Sequence, residues 1–360
     1  MTATPAFARS LITWHRQHGR HDLPWQNTRD PYRVWLSEIM LQQTQVATVI
    51  PYYARFLECF PTVATLAAAP VDVVMSLWSG LGYYARARNL HRCAQIILAE
   101  YGGRFPHDPA ALAALPGIGR STANSIATFC FGARAPILDG NVKRVLCRAF
   151  GIDGFPGSAA VEKRLWVLAE ALMPLRDGDI YNQAQMDLGA SVCSRNKPRC
   201  AVCPLSELCV AKRDGRTAEL PQRKPTKRIP EREATLLVVI DEHGRVLLET
   251  RPPAGIWGGL QSVPELPGHV DAAAVTAWLS NLLACTVGAV SPAPTFAHTF
   301  SHFRLLIRPM VLRVDRVATV MEARWHWLAM EALEAAALPA PVRTLLAQTL
   351  GSSPLSLKNR

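Results

Sequence analysis

The stretch Leu115-Pro116-Gly117-Ile118-Gly119-Arg120-Ser121-Thr122-Ala123 decides the fold of the first part of this 360-residue chain. Its two glycines lie between segments with helical patterns, so it predicts a helix–glycine turn–helix unit. Glycines let backbone amides approach an anion closely, and the positive N-terminal end of the next helix favours negative charge. The unit could therefore grip the phosphate backbone of a nucleic acid. It could also be an ordinary helix–helix corner, because glycine turns are common.

Helical patterns continue on both sides of this unit, up to about residue 210. Apolar positions recur at helical spacing over residues 31–44, 71–78, 89–99 and 161–173. Asp108-Pro109 supplies the N-cap and the first-turn proline of a further helix. Little in this region predicts strand, so we expect an all-α domain over residues 1–213.

The pattern changes after residue 213. Residues 214–232 combine three prolines with basic residues, which is typical of an extended, solvated linker. Two β-like runs, 234–240 and 245–250, then flank the turn Asp241-Glu-His-Gly244. A helix near 272–283 and a strand near 303–312 follow, so residues 233–360 are predicted to form an α+β domain. The chain is thus predicted to be multi-domain.

Charge is distributed unevenly along the chain. The net charge of +11 divides into +8 for residues 1–213, +3 for the linker and zero for residues 233–360. The basic part is therefore predicted to meet a polyanion, although many basic chains bind none. No apolar run approaches the ~18 residues of a membrane span, and the N-terminus has no long apolar core, so neither a membrane anchor nor a signal peptide is expected.

Four of the nine cysteines are crowded into the pattern Cys193-x6-Cys200-x2-Cys203-x5-Cys209. An odd total argues against a secreted disulfide framework and favours a reducing compartment. Four thiolates this close can hold a tetrahedral zinc ion or an iron–sulfur cluster. Zinc ribbons usually carry two C-x2-C knuckles and this run has one, which favours a [4Fe–4S] cluster. Basic residues in and beside the loop could face phosphate.

Two carboxylates are candidates for chemistry. Glu38 shares a helix face with Val34, Trp35, Leu41, Gln42 and Gln45, and such apolar neighbours would raise its pKa, as a proton donor working near neutrality requires. From spacing alone, an exposed glutamate is the more common case. Asp139 precedes a predicted helix and could be its N-cap, or could also stabilise a cation-like transition state.

The run Gly80-Leu-Gly-Tyr-Tyr-Ala-Arg-Ala-Arg88 places aromatic residues after a glycine turn, with two arginines behind them. Tyr83 or Tyr84 could wedge into a base stack while Arg86 and Arg88 contact phosphates. Tyrosines packed in a core would give the same pattern.

Together these stretches resemble the MutY-type adenine DNA glycosylase family, which belongs to the helix-hairpin-helix DNA glycosylases. The likeness covers nearly the whole chain and rests on motifs that occur in the family's order. Those motifs are Leu23-Pro-Trp25, Val34 to Gln45, Gly80 to Asn89, residues 115–123, Ile137 to Arg144, the four cysteines, Arg251-Pro-Pro with Gly255-Ile-Trp-Gly-Gly-Leu260, and His298-Thr-Phe-Ser-His302.

The resemblance implies an all-α helix-hairpin-helix glycosylase domain with a [4Fe–4S] module, followed by a Nudix-like α+β domain that recognises 8-oxoguanine. It implies that Glu38 is the general acid and that Asp139 stabilises the positively charged sugar. The implied DNA-binding residues are Gln42, Tyr83, Gly117, Gly119, Ser121, Asn141, Phe300, Ser301 and His302. The implied cluster ligands are Cys193, Cys200, Cys203 and Cys209.

The family's substrate is adenine opposite 8-oxoguanine or guanine in double-stranded DNA, and its members are expected to act as monomers. Bacterial members work in the cytoplasm at the nucleoid. Protonation at N7 makes adenine a better leaving group, and a carboxylate stabilises the oxocarbenium character of the sugar. Glu38 must therefore be protonated and Asp139 ionised at the same pH, so their environments must separate the two pKa values.

Three other functions would each require residues that differ from those in this chain. A bifunctional lyase of the endonuclease III kind needs a lysine where this chain has Ser121, so we expect a monofunctional enzyme. A nucleotide pyrophosphatase needs a Mg²⁺-binding box, in which Gly259 and Glu265 fit but Ala273-Ala274 and Ala277-Trp278 replace the remaining charged residues. A non-catalytic lesion binder would lack Glu38 or Asp139, and both are present.

Overall fold

The structure is a computed structural model that describes residues 3–224, 229–253, 255–300, 302–317 and 324–350. The described backbone forms two compact units. The first unit consists of residues 3–68 and 89–224, and the second consists of residues 69–88 together with the described residues from 229 onward. Residues 69–88 thus belong to the unit that contains the C-terminal part of the chain.

Fourteen α-helices are present in the described ranges. They are α1 (Ala3–His18), α2 (Pro31–Leu41), α3 (Val46–Cys59), α4 (Val63–Ala68), α5 (Val71–Trp78), α6 (Ala85–Tyr101), α7 (Pro109–Ala113), α8 (Arg120–Phe131), α9 (Gly140–Phe150), α10 (Ala159–Leu172), α11 (Gly178–Ser191), α12 (Val210–Arg213), α13 (Ala272–Leu283) and α14 (Ala340–Thr349). None of these helices is long and apolar enough to cross a bilayer.

Local chemistry explains where the helices of the first unit begin and end. Asp108 caps α7 by accepting the Ala111 amide at 3.0 Å, and Pro109 occupies the first turn, as predicted. Gly132 ends α8 in the left-handed conformation that glycine adopts without strain. The helix predicted over residues 31–44 stops at Leu41, because Gln43 has a φ of 58°. The described residues of this unit contain no strand, in agreement with the sequence prediction.

The core of the first unit contains apolar faces of α1, α9, α10 and α11. Phe7, Leu11, Leu146, Leu165 and Tyr181 are almost fully buried there. Each such side chain contributes roughly 1.5–3 kcal/mol by leaving water. This core determines where the N-termini of α9 and α11 lie, and both bear on the site described below.

The glycine turn joins α7 to α8, which confirms the predicted helix–turn–helix unit. Gly117 has a φ of 78°, and a Cβ atom there would lie 2.9 Å from the Cβ of Asn89. Any larger residue would be both strained and crowded. Gly119 precedes α8, and the space beside its Cα is open to 4 Å. Backbone amides at the start of α8 can therefore be approached from outside.

The second unit is built on a mixed sheet with the strand order β3-β2-β1-β8-β5. The described strands are β1 (Glu231–Ile240), β2 (Val246–Thr250), β3 (Gln261–Ser262), β4 (Glu265–Pro267), β5 (Thr286–Val287), β6 (Ser291–Pro292), β7 (Phe296–Thr299), β8 (Arg304–Asp315) and β9 (Trp325–Leu328). β1 and β8 are parallel over ten residue pairs, and β1 and β2 form the predicted hairpin. The helix predicted over 272–283 is α13.

The segment predicted as a solvated linker differs from that expectation at both ends. Leu220 is buried, and its carbonyl accepts a hydrogen bond from Arg148 at 2.7 Å. At the other end β1 begins at Glu231, so two residues of the segment already belong to the sheet. The composition predicts only that the segment as a whole is solvated. Whether a single apolar residue such as Leu220 is buried depends on the part of the protein that lies beside it.

Candidate active site

Glu38 lies on α2, whose neighbouring residues Val34, Trp35 and Ile39 are buried. Glu38 as a residue is partly exposed, but its carboxyl is enclosed by the protein and lines a cavity of about 230 Å³. Burial raises the pKa of Glu38 to about 7; the Ser125 hydroxyl lowers it and the negative charge of Asp139 raises it further. The predicted rise in pKa is therefore confirmed, and the carboxyl can hold a proton near neutrality.

The cavity belongs wholly to the first unit and is bounded by α2, the loop before it, α8 and α11. Trp25, Arg29, Phe129 and Gln183 lie around it with Glu38. A single water needs only about 10–15 Å³ of such space, so the cavity can admit a planar heterocycle. The lining mixes polar side chains with aromatic and aliphatic ones, which suits a flat, partly polar ligand.

Asp139 is the N-cap of α9, as predicted. Its Oδ1 accepts the Val142 amide at 2.7 Å, and its Oδ2 accepts the Asn141 side-chain amide at 3.2 Å. Burial raises the pKa of Asp139, while these hydrogen bonds and the charge of Arg144 oppose the rise by favouring the ionised form. Glu38 has no such set of amide donors, so the two carboxyls have different surroundings although they are close enough to interact.

Arg144 connects Asp139 to the cysteine loop. Its guanidinium donates to the Asn141 Oδ1 at 2.7 Å and to the Cys193 carbonyl at 2.8 Å. Asn141, which the sequence placed among the DNA-binding residues, is thus engaged on both sides, with Asp139 and with Arg144. The orientation of the Asp139 carboxylate therefore depends on the cysteine loop.

The four cysteines surround one small cavity of about 20 Å³. Arg148 is only 2% exposed and supports this loop, donating to the carbonyls of Ser194 and Arg195 and to the Cys193 Sγ at 3.3 Å. Burial raises the pKa of the Cys203 thiol to about 11, so thiolates here need a positive partner. Among the described residues, no three or more His, Cys, Asp or Glu side chains are oriented together so that they could bind a metal ion.

The cysteine loop offers the donors that a thiolate-bound metal centre needs. Four sulfur donors line one cavity, and the buried Arg148 guanidinium beside them offsets part of their negative charge. The donor set therefore fits a metal centre held by four thiolates.

Ser121 and Lys143 bear on the rival lyase function. The Ser121 Oγ accepts the Leu138 amide at 3.0 Å, so its hydroxyl ties α8 to the residue before Asp139. The Lys143 ammonium lies 2.6 Å from a Glu162 carboxylate oxygen. This ion pair engages the ammonium group, so it is not free to act as a nucleophile.

The loop before α6 presents one tyrosine outward. Tyr83 is 51% exposed with a φ of 49°, whereas the Tyr84 hydroxyl accepts the Gly80 amide at 3.3 Å. Arg86 is 8% exposed, and its guanidinium donates to the carbonyls of Leu81 and Gly82. The prediction that Arg86 contacts phosphate is therefore wrong, because its guanidinium is buried against the loop.

Gln42 directly follows α2 and lies near α8. Its side-chain amide is 3.5 Å from the Thr122 Oγ1, so it is close to the start of α8 and to the glycine turn. The structure thus brings together Glu38, Gln42 and the residues of the glycine turn in the first unit.

In the second unit, Phe300 and His302 lie in the turn between β7 and β8. The Phe300 amide donates to the Phe303 carbonyl at 2.8 Å, its ring is 5.8 Å from that of Trp257, and His302 is exposed. Ser301 lies outside the described residues. Glu265 accepts two hydrogen bonds from Arg251 at 2.8 Å, so the glutamate that fits the Mg²⁺ box is already neutralised.

Sequence reasoning missed a buried ion network beside the cavity. Asp187 on α11 accepts from the Arg20 amide and Nε at 2.8 Å and from the Gln183 amide at 2.9 Å. Burial would raise the pKa of Asp187, but a hydrogen bond from His15 and the hydrogen bonds and charge of Arg20 hold it below its usual range. Arg20 and Asp187 are 167 residues apart, and no local pattern signals their pairing.

Comparison with known proteins adds two family matches. Residues 36–171 match the model of the HhH-GPD superfamily base excision DNA repair proteins, and residues 235–348 match the NUDIX domain model. With the helices and mixed sheet described above, these matches confirm the predicted fold class.

Similar proteins cover almost the whole chain. An adenine DNA glycosylase of Buchnera aphidicola is 36% identical over 94% of this chain and 96% of its own length. The adenine DNA glycosylase of Homo sapiens is 33% identical over 97% of this chain and 75% of its own length. Among solved structures, a thermostable thymine-DNA glycosylase aligns with a TM-score of 0.54 and 31% identity, covering 59% of this chain and 97% of that chain.

The raised pKa of Glu38 predicts a particular pH dependence of stability. Because the folded chain binds this proton more tightly than the unfolded chain, the stabilisation is complete below about pH 4.5 and is lost as the pH rises through about 7. Relative to Glu38→Gln, the free energy of unfolding of the wild type should fall by about 3 kcal/mol across that range. Denaturant unfolding from pH 4 to 8 measures this difference.

Glu58→Gln, which changes an exposed carboxylate on α3, is the control and should show no comparable trend. A difference between wild type and Glu38→Gln that stays constant with pH would show that Glu38 is not the buried acid described here.

Proposed function

Because this chain belongs to the adenine DNA glycosylase family, we propose that it hydrolyses the N-glycosidic bond of adenine mispaired with 8-oxoguanine or guanine in duplex DNA. This reaction would start base excision repair. The observation that carries the proposal is Glu38, a carboxyl with a pKa of about 7 on the wall of a cavity and under the influence of the Asp139 charge. An acid that is partly protonated at neutral pH is what a purine leaving group requires.

The reaction begins when adenine leaves the base stack and enters the cavity, which costs a few kcal/mol and less at a mispair. Glu38 then donates its proton to N7, so that adenine departs as a neutral base. The Asp139 carboxylate stabilises the positive charge that develops on the deoxyribose. Hydrogen bonds from Val142 and Asn141 orient Asp139 for this task and favour its ionised form against the effect of burial.

Water, and not an amine of the protein, completes the reaction in this proposal. Ser121 occupies the position where lyases carry lysine, and its hydroxyl is bound to the Leu138 amide. Lys143 is paired with Glu162. The enzyme is therefore proposed to be monofunctional, releasing adenine without cutting the strand.

Double-stranded DNA is the proposed partner, bound by one copy of the chain. Amides around Gly117 and Gly119 contact the phosphate backbone without reading sequence. Tyr83 and Gln42 invade the duplex, and Ser121 and Asn141 support the site from within. The excess of +8 over residues 1–213 adds attraction for the polyanion.

We assign recognition of 8-oxoguanine to the part of the second unit that lies within the proposed domain of residues 233–360. This NUDIX-like unit lacks the charged residues of a Mg²⁺ box, and Arg251 neutralises Glu265, so its fold is available for binding. Phe300, Ser301 and His302 are the proposed contacts to the modified base. Hydroxyl and imidazole groups can read the edge of such a base.

The proposed cofactor is a [4Fe–4S] cluster held by the four cysteines. When bound, it supplies four covalent cross-links that fold the loop, as thiolate-bound metal centres do. Arg148 balances the charge, and Arg144 transmits the position of the loop to Asn141 and Asp139.

Glu38→Gln should lose excision by about 10²-fold or more while retaining binding to lesion DNA, because the amide keeps the shape but donates no acidic proton. The measurement is a single-turnover assay on a duplex with adenine opposite 8-oxoguanine. The wild-type rate should fall as the pH rises above about 7, as the Glu38 proton is lost. Strand breaks should appear only after alkali treatment.

Glu58→Gln serves as the matched control, since it removes an exposed carboxylate. Excision by Glu38→Gln within about tenfold of the wild type would contradict the role of Glu38. Strand cleavage without alkali would contradict the monofunctional mechanism.

Cys200→Ala should weaken the cysteine loop and DNA affinity more than the intrinsic acidity at Glu38. The purified wild type should be brown with broad absorption in the blue, and Cys200→Ala should lose most of that colour. Cys59→Ala, an exposed cysteine on α3, is the control and should keep it. Colourless wild-type protein that contains stoichiometric zinc would refute the cluster.

Ser301→Ala combined with His302→Ala should reduce the preference for 8-oxoguanine over guanine opposite adenine. A loss of about 1–3 kcal/mol, roughly 5–150-fold in rate ratio, is expected if this pair reads the base edge. His243→Ala, an exposed histidine in the β1–β2 turn, is the control. An unchanged ratio would assign lesion reading to other residues.

A further inference from the structure

Residues 69–88 are tied to the C-terminal part of the chain by side chains at both ends of the Tyr83 loop. On the α5 side, the Ser76 hydroxyl donates to the Ala335 carbonyl at 2.6 Å, and the Ser79 hydroxyl donates to the Leu338 carbonyl at 2.7 Å. On the α6 side, the Arg88 guanidinium donates to the Gly258 carbonyl. This segment lies inside the HhH-GPD match, yet its partners lie inside the NUDIX match or at its edge.

The backbone of the loop between these anchors is strained. Gly80, Gly82 and Tyr83 all have positive φ, and for a tyrosine this conformation costs about 1–3 kcal/mol. Arg86 holds it by donating to the Leu81 and Gly82 carbonyls and by lying over the Trp78 and Tyr83 rings. The half-exposed Tyr83 ring is thereby presented at the surface in one orientation.

The Arg88 anchor meets a glycine turn that is itself strained and closely packed. Trp257 has a φ of 54°, and a Cβ at Gly258 would lie 2.4 Å from the Pro253 carbonyl oxygen. A Cβ atom at Gly259 would lie 3.6 Å from the Arg88 guanidinium and 3.7 Å from the Met75 side chain. The position of the Gly258 carbonyl therefore depends on the conformation of Trp257.

Trp257 also contacts the turn that precedes β8. Its ring is 5.8 Å from that of Phe300 and 6.2 Å from that of His298, and the Phe300 ring is 6.3 Å from that of His302. A continuous series of contacts thus runs from His302 and Phe300 through Trp257 to Gly258, Arg88 and the Tyr83 loop, all within the second unit.

We propose that Arg88 is a positioning residue that couples base recognition near His302 to insertion of Tyr83 into the duplex. A base that fits the His302 turn keeps Trp257 and the Gly258 carbonyl in place, and Arg88 then holds the Tyr83 loop in its inserting conformation. A poorly fitting base displaces Trp257 and the Gly258 carbonyl. Arg88 then holds the loop less firmly, and a smaller fraction of complexes has Tyr83 inserted in the duplex. The inference rests on the proposed function, because it assumes that these two loops meet DNA.

The test is a double-mutant cycle in the full-length protein. Arg88→Met keeps the aliphatic stem and removes the donors, and it should lower the ratio of excision rates opposite 8-oxoguanine and guanine by about five- to tenfold, in the range of typical couplings. In the Ser301→Ala/His302→Ala background the same change should alter the ratio by less than about twofold. Arg88→Lys, which keeps one charged donor, should recover part of the ratio.

Arg92→Met is the matched control, because Arg92 is an exposed arginine one turn further along α6. It should leave the ratio unchanged even if affinity falls. Ser79→Ala removes a second anchor and should act in the same direction as Arg88→Met, which keeps the test valid if Arg88→Met folds poorly. The proposal would be overturned if Arg88→Met and Ser79→Ala slowed excision equally on the 8-oxoguanine and guanine duplexes. It would also be overturned if the effects of Arg88→Met and Ser301→Ala/His302→Ala on the rate ratio were additive.

A second readout separates this inference from the proposed function. The fluorescence of 2-aminopurine beside the lesion reports unstacking by Tyr83 without any excision. It should differ between the 8-oxoguanine and guanine duplexes with the wild type, and this difference should shrink with Arg88→Met. A wild type that excises no adenine defeats the proposed function, whereas an unchanged fluorescence difference with Arg88→Met defeats the coupling.

Discussion

The hydrogen bond between the Asp139 carboxylate and the Val142 amide is the contact on which most of the site depends. It starts α9, and in doing so fixes the direction in which this carboxylate points. The same helix carries Arg144 and Arg148, whose guanidinium groups hold the cysteine loop through its carbonyls and a sulfur. One helix thus joins the carboxylate proposed to stabilise charge to the loop proposed to hold the cluster. Its position is in turn set by the apolar core that α9 shares with α1, α10 and α11.

The two carboxyls have different surroundings: desolvation raises the pKa of both, and at Asp139 a larger set of donors opposes that rise. Glu38 faces a cavity and has buried apolar neighbours, so the neutral form is favoured up to a pH of about 7. Asp139 is also desolvated, but amide donors and Arg144 favour its ionised form. Proton donation and charge stabilisation can therefore coexist a short distance apart.

The second unit is larger than the NUDIX match, because it also includes residues 69–88. The strained loop that presents Tyr83 has its anchors in that unit, at Gly258, Ala335 and Leu338. Family boundaries along the sequence and compact units in space therefore divide this chain differently. A variant that cut the chain in the linker would remove those anchors as well as the residues near His302.

Local signals in the sequence determined the helix–glycine turn–helix unit, the caps at Asp108 and Asp139, the β1–β2 hairpin and the full extent of α13, since each depends on residues a few positions apart. The sequence also determined the identity of the two carboxylates and the four cysteines. The tertiary structure alone decided that Arg86 is buried, that Asp187 pairs with Arg20, and that Ser76, Ser79 and Arg88 bind the C-terminal chain. It also decided the pKa of Glu38. These features depend on which distant segments exclude water from a group or satisfy its donors, and residue order along the chain carries no local signal for that.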